Sequence, residues 1–387
     1  MFHTFKGAVA FSVIFLSCQL KGGLHVRVRA KKARNFREEG WCTLFWRKLS
    51  HADYRVLLSI PRALSYSDAA KVAGISSSYA SLKIRKLAEN AWLRFWVEYR
   101  AIGLSPTYVL CKYSPSFLTI ASRVVLPYVK VVRKIWSSEG AKLLIEATPP
   151  AGFERRFAYT LPVAVENVWV GEWEARYVPC DSRLVAHTGS SLEVRWDELP
   201  EAVRDTLPEP DTSLHAYQSI DRLDLLILRE KEEYCFNNLS RIGEKIKIAQ
   251  QLVSYHFRNH LKPIWKSNYV EPRKPEFPVI YKVEMENTRA ALSLLTALSR
   301  IPLLINAFAI QGSEHTIVML LDVPPTDLAK MHSGLFSIDG VRKAELLAFV
   351  DGSDPIYYGL TAHLGLQDEV WTLEPLEEAI DTALKKE

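Results

Sequence analysis

The stretch DYRVLLSIPRALSYSDAAKVAGISSSYASLKIRKLAENAWLRFWVEYRAIGL, residues 53–104, has the spacing of two helices that cross at a tight turn. Ala70 is small where the helices must approach, Gly74 supplies the left-handed backbone of the turn, and Ile75 plugs the corner. Ser76 offers a side-chain oxygen to cap the second helix. Along that helix Ala80, Ile84 and Leu87 form one apolar stripe, while Ser78, Ser81, Leu82, Arg85 and Lys86 turn the other way, with Ser77 at the helix start. The run from Arg94 to Arg100 alternates as a strand should, which would place Arg94 and Arg100 on the edge of a wing. Together these features predict a winged helix-turn-helix. Its outward helix face, short at the N-terminus and basic beyond, suits a DNA major groove flanked by phosphates.

A weaker copy runs from Asp224 to Trp265. Asp53 pairs with Asp224 at an offset of 171, and Ile75 with Ile248 and Arg85 with Arg258 at 173. Ile248, Val253 and Phe257 take the buried places, and Gln250, Gln251, Ser254, Tyr255, Arg258 and Asn259 the outward ones. Glutamine reads adenine bidentately and arginine reads guanine or grips phosphate, so this face carries more base-reading chemistry than the first. Lys247 stands where the turn glycine is expected.

The chain after each copy also repeats. Residues 279–350 parse as strand, helix, two strands, helix, strand, and residues 107–178 can be cut the same way. Pro149-Pro150 closes the third strand of one as Pro324-Pro325 does in the other. The predicted class is α+β, with two winged helix-turn-helix domains (49–104 and 221–272) alternating with two ferredoxin-like βαββαβ bodies (105–196 and 273–350). An extension (1–48), a proline- and acid-rich linker (197–220) and a tail with a helix (351–387) complete the chain.

The segment from Ala70 to Leu87, AKVAGISSSYASLKIRKL, resembles the leucine-responsive and asparagine-type (Lrp/AsnC) regulators, whose winged head precedes a ferredoxin-like ligand-binding body. The resemblance spans roughly residues 50–350, although two units in one chain depart from the usual single unit. It implies double-stranded DNA as partner, a small-molecule effector, and pairing of chains through the bodies. Gly312, Ser313 and Glu314 fall where that family turns between strands and often holds effectors. His315 and Thr316 replace the acidic residue common there, and Gly-Ser between strands also suits a plain hairpin turn.

The function expected is sequence-specific transcriptional regulation by two unequal heads, without catalysis or cofactor. No phosphate-binding glycine loop, nucleophile elbow or paired-carboxylate motif is evident. Two alternatives stand beside it. One is a winged-helix scaffold that binds proteins. The other is an enzyme like the sirohaem decarboxylases, which resemble the same regulators in fold; their histidine- and arginine-rich body motif is not evident, and residues 153–159 offer only Glu154, Arg155 and Arg156. His256 and His260 stand one helical turn apart, but no neighbouring carboxylate or cysteine in the sequence completes a ligand set, so no metal is expected.

With 48% hydrophobic residues, the 387-residue chain can bury several cores, and a net charge of +5 only mildly favours a polyanionic partner. Seven basic residues and no acid lie between Lys21 and Arg37, suggesting an arm on DNA. Five scattered cysteines (Cys18, Cys42, Cys111, Cys180 and Cys235) support neither a disulfide framework nor zinc, so a reduced cytoplasm is expected. The apolar run at 7–20 is short for a bilayer span. It reads as an appended leader, a packing or membrane-associating extension, or an export signal.

Overall fold

The computed structural model describes residues 49–206, 218–352, 355–367 and 370–385. The apolar run at 7–20, the basic run at 21–37, Cys18 and Cys42 lie outside the described residues. Helix α1 (His51–Ser59) opens with a reciprocal cap: Ser50 Oγ accepts from the Asp53 amide at 3.2 Å, and the Asp53 carboxylate accepts from the Ser50 amide at 3.1 Å. Helix α2 (Tyr66–Ala73) ends on Gly74 at φ 63°, where an added Cβ would also sit 2.7 Å from the Arg55 guanidinium. Ser76 then caps α3 (Ser77–Asn90), which buries Ala80, Ile84 and Leu87. Strand β1 (Ala91–Val97) ends sooner than its alternation predicts, because Tyr99–Ile102 winds into a 3₁₀ turn that carries Arg100 off the strand.

The first body comprises β2 (Thr107–Lys112), α4 (Pro115–Arg123), β3 (Val129–Ser137), β4 (Gly140–Ala147), α5 (Glu154–Thr160) and β5 (Val165–Ala175). Its antiparallel strands lie in the order β5-β2-β4-β3. A small hairpin, β6 (Val185–His187) and β7 (Leu192–Val194), reaches back to the first head, where the Leu49 amide donates to the Ser190 carbonyl at 2.7 Å. Helix α6 (Leu199–Asp205) comes next, with Leu199, Ala202 and Val203 buried, so part of the expected linker is ordered as helix.

The second head repeats the first with α7 (Arg222–Glu233), α8 (Leu239–Ile246), α9 (Gln250–His256) and β8 (Trp265–Pro272). Lys247 takes the left-handed conformation of the missing glycine, at φ 59°. A glycine is still needed at the crossing. Gly243 stands in Ala70's place, and a Cβ there would meet the Ile248 carbonyl at 2.6 Å. The second body has β9 (Pro278–Met285), α10 (Thr288–Leu298), β10 (Leu304–Ile310), β11 (Ser313–Asp322), α11 (Pro325–Phe336) and β12 (Val341–Val350), in the strand order β12-β9-β11-β10. The tail adds β13 (Ile356–Tyr357), the short pair β14 (Leu366–Gln367) and β15 (Val370–Trp371), and α12 (Glu374–Leu384), which buries Leu376 and Ile380.

Two joins unite the copies. In the first, β1 pairs antiparallel with β8, Arg94 opposite Tyr269 and Phe95 opposite Asn268, so each head takes its partner strand from the other. That buries Phe95, Trp96 and Tyr99 and leaves Arg94 only 4% exposed; the expected exposed wing edge is therefore a central ribbon. In the second, the bodies' strands close on each other. β5 pairs with β10 over Gly171–Ala175, whereas β3 meets β12 only at Ile135 and Trp136, with β13 patching β3 at Val131 and Val132. Edges that would otherwise invite a second chain are thus largely paired within one. Tyr108 and Phe308 stack inside the ring at 3.8 Å, while the helices lie on its outer faces.

Candidate functional site

The looser of the two body seams leaves a cavity of about 450 Å³ below one end of the β1–β8 ribbon. Three segments bring cations to it: Arg94 from β1, Arg133 and Lys134 from β3, and Arg273 and Lys274 from the turn after β8. Its carboxylates are Glu271 and Asp351, and both are engaged. Glu271 pairs with Arg94 at 3.2 Å and Arg133 at 3.9 Å, and Asp351 with Lys134 at 3.3 Å. The volume lies in the range of ordinary ligand sites, and the lining retains an excess of positive charge.

The floor of the cavity is a rigid polar network. Arg94 lies 4.8 Å from the ring centres of both Trp92 and Tyr357, and its guanidinium donates to the Tyr357 hydroxyl and, at 3.3 Å, to the Glu232 carbonyl. Burial works against its charge, but Tyr357, Tyr269, Glu271 and Glu232 more than offset this and hold it protonated. Burial also pushes the Tyr357 hydroxyl up to about 12, so it keeps its proton at neutral pH, although 39% of the residue remains open to solvent. Deeper in, Glu146 bonds Arg176 at 2.9 Å and Arg133 at 3.3 Å; these cations and Lys130 overcome its desolvation and bring it to about 2. Arg273 differs. Its guanidinium lies 3.7 Å from the Trp92 ring, and burial followed by repulsion from Arg94 lowers its affinity for its proton. Such a cation gains from a bound anion.

The residues singled out in the sequence lie elsewhere. On α3, Ser77, Ser78, Leu82, Arg85 and Lys86 are exposed and Ser81 is half-buried; Gln250, Gln251 and Tyr255 on α9, and Arg258 and Asn259 just beyond it, are exposed, with Ser254 half-buried. Gly312 sits at φ 78° in the β10–β11 turn, where its amide donates to Glu314 Oε1 at 2.8 Å; Gly312, Ser313 and Glu314 do not line the cavity beneath the ribbon. The expectation that no carboxylate accompanies His256 and His260 is corrected: buried Asp224, more than thirty residues away in sequence, accepts from both. The cavity's own residues went unread because the ribbon and the seam assemble them from distant segments. The basic pair between Pro272 and Pro275 was the available signal.

No family model matches this chain, and no curated protein matches it. Among solved structures, it is similar to the siroheme decarboxylase NirDL, with 11% identity and a TM-score of 0.47, covering 87% of this chain and 99% of that one. A second structure of NirDL, in co-complex with an iron-uroporphyrin III analogue, matches at 10% identity and the same TM-score and coverage. Likeness at this level concerns fold alone. Both structures are of an enzyme, where the sequence leads us to expect a protein without catalysis. Among the described residues, no helix is long and apolar enough to cross a membrane.

Proposed function

We propose that this chain is an enzyme that holds a flat polycarboxylate of the tetrapyrrole class in the cavity beneath the ribbon and decarboxylates it, on a framework of two winged-helix heads and two ferredoxin-like bodies. The observation that carries the reading is the excess of positive charge around the cavity: five cations face two carboxylates, both already paired. The enzyme named among its structural neighbours acts on a substrate of this class. Arginine forks suit carboxylates, and a ring system can lie against Trp92 and Tyr357.

In decarboxylation the bond to a carboxylate breaks, CO₂ leaves, and the electron pair left on carbon takes a proton. Tyr357 is suited to supply it. Its oxygen accepts from Arg94, which leaves its own hydrogen free to point elsewhere, and Arg94 would stabilise the phenolate left behind. Adding sirohaem or iron-uroporphyrin to the purified chain and following both the absorption band and loss of CO₂ by mass spectrometry tests the proposal. Binding with no change in substrate mass would reduce it to a tetrapyrrole carrier.

A second reading concerns the heads, and the outward placement of both helix faces favours it. We infer that Arg85, Lys86 and Arg258 meet phosphates while Ser78, Ser81, Gln250 and Gln251 meet base edges. Duplex binding that weakens steeply with salt would support it; salt-independent capture of proteins instead would favour an interaction scaffold.

A further inference from the structure

The geometry points to a divalent transition-metal site of the zinc type in the second head, built from Asp224, His256 and His260. Asp224 sits in the first turn of α7 with no exposed surface, and its carboxylate receives His256 Nδ1 at 2.9 Å and His260 Nδ1 at 2.8 Å. All three ligand atoms lie within 4.8 Å of one another. Ligands of a tetrahedral zinc at its usual bond lengths are separated by about 3.3 Å, a spacing between the 2.8–2.9 Å of the two hydrogen bonds and the 4.8 Å that bounds the set, so a small readjustment of the side chains would admit the ion. Two imidazoles and one carboxylate form a donor set that selects borderline ions over calcium or magnesium. A fourth ligand is near, since Asp221 Oδ1 lies 3.8 Å from His256 Nδ1.

The backbone supports the same assignment. After His256 the recognition helix widens into a π turn, Phe257–Leu261, closed by the Lys262 amide on the Phe257 carbonyl at 2.8 Å. A wider turn brings side chains four residues apart closer to one line, and the two imidazole centres are 5.0 Å apart. Such turns are rare and gather at functional sites. The first head supplies an internal comparison. There Asp53 meets Lys83 at 3.0 Å, and Leu87 occupies the place of His260, so a simple ion pair serves where the second head has a ligand set. With Asp224 fully buried and His256 only 8% exposed, the ion has a structural role: it ties α7 to α9 in the head whose turn lacks its glycine.

The test uses the full chain, stripped with chelator and titrated with Zn²⁺ by calorimetry, beside His260→Gln, which retains a hydrogen-bond donor for Asp224 but removes an imidazole. One Zn²⁺ per chain, a rise in melting temperature on loading, and at least a tenfold loss of affinity in the variant are expected. No uptake, or uptake that the variant leaves unchanged, would overturn the site. Cobalt gives a reading that needs no variant. Intense visible bands of a four-coordinate ion on the native chain are expected, and only the weak bands of a six-coordinate ion would count against the proposal.

Discussion

Arg94 donates a hydrogen bond to the hydroxyl of Tyr357, a residue 263 positions further along the chain. The contact joins the ribbon between the heads to the short strand that patches the open seam, so head and body meet at the candidate site. Its direction fixes its chemistry. An arginine held charged can only donate, which leaves the phenol's proton for another acceptor.

Tyr357→Phe should therefore separate binding from reaction. The ring remains against Trp92 and Arg94, so affinity for iron-uroporphyrin should change less than about threefold, while decarboxylation should fall by about a hundredfold or more, in the range ascribed to general acids. A raised KM with kcat unchanged would assign Tyr357 to binding alone.

Lys247→Gly should stabilise the protein. Lys247 is exposed and holds φ 59°, a region that costs a side-chain-bearing residue roughly 1–2 kcal/mol and glycine little. Denaturant unfolding should show a gain of about 0.5–1 kcal/mol after allowing for glycine's larger unfolded-state entropy. Destabilisation would mean that Lys247 is tied down by its side chain.

Acid should weaken the fold partly through Glu146. Its folded value, about 2, lies below the ordinary 4.5, so it binds its proton more readily when unfolded. Its contribution is present above about 4.5 and disappears as pH falls towards about 2. Melting temperature followed across that window should fall more steeply for the native chain than for Glu146→Gln, which is expected to start lower because Arg133 and Arg176 lose a buried counter-charge. Parallel curves would remove Glu146 from the account.

On the heads, Arg85→Ala should weaken duplex binding nearly uniformly across sequences, whereas Gln250→Ala/Gln251→Ala should relax base preference, by roughly 1–3 kcal/mol for each bidentate pair removed. Selection from a random duplex pool reads both. Indistinguishable behaviour of the two variants and the parent would leave the helix faces without a role on DNA.

The local grammar of this chain is legible from its residues. Gly74, the Ser76 cap and the Ala80–Ile84–Leu87 stripe mark α2 and α3, because each reflects a backbone or burial demand within a few residues. Lys247 obscured the second turn, since a rare left-handed lysine took the glycine's conformation while Gly243 met the close crossing. The pairing of β1 with β8 and the unequal seams were hidden for another reason. Alternation identifies a strand but carries no address for its partner. The candidate site depends on those pairings, so nothing in the local sequence singles out Arg133, Arg273 or Tyr357 or links Asp224 to His256 and His260.

The central claim is that the cavity beneath the ribbon holds a polycarboxylate macrocycle and that its cations do the holding. The most direct measurement is an absorption titration of the full chain with iron-uroporphyrin, compared with Arg273→Ala. The account predicts saturable binding of one ligand per chain, weakened by added salt and by at least tenfold in the variant. Binding that is absent, or equally strong in Arg273→Ala, would contradict it.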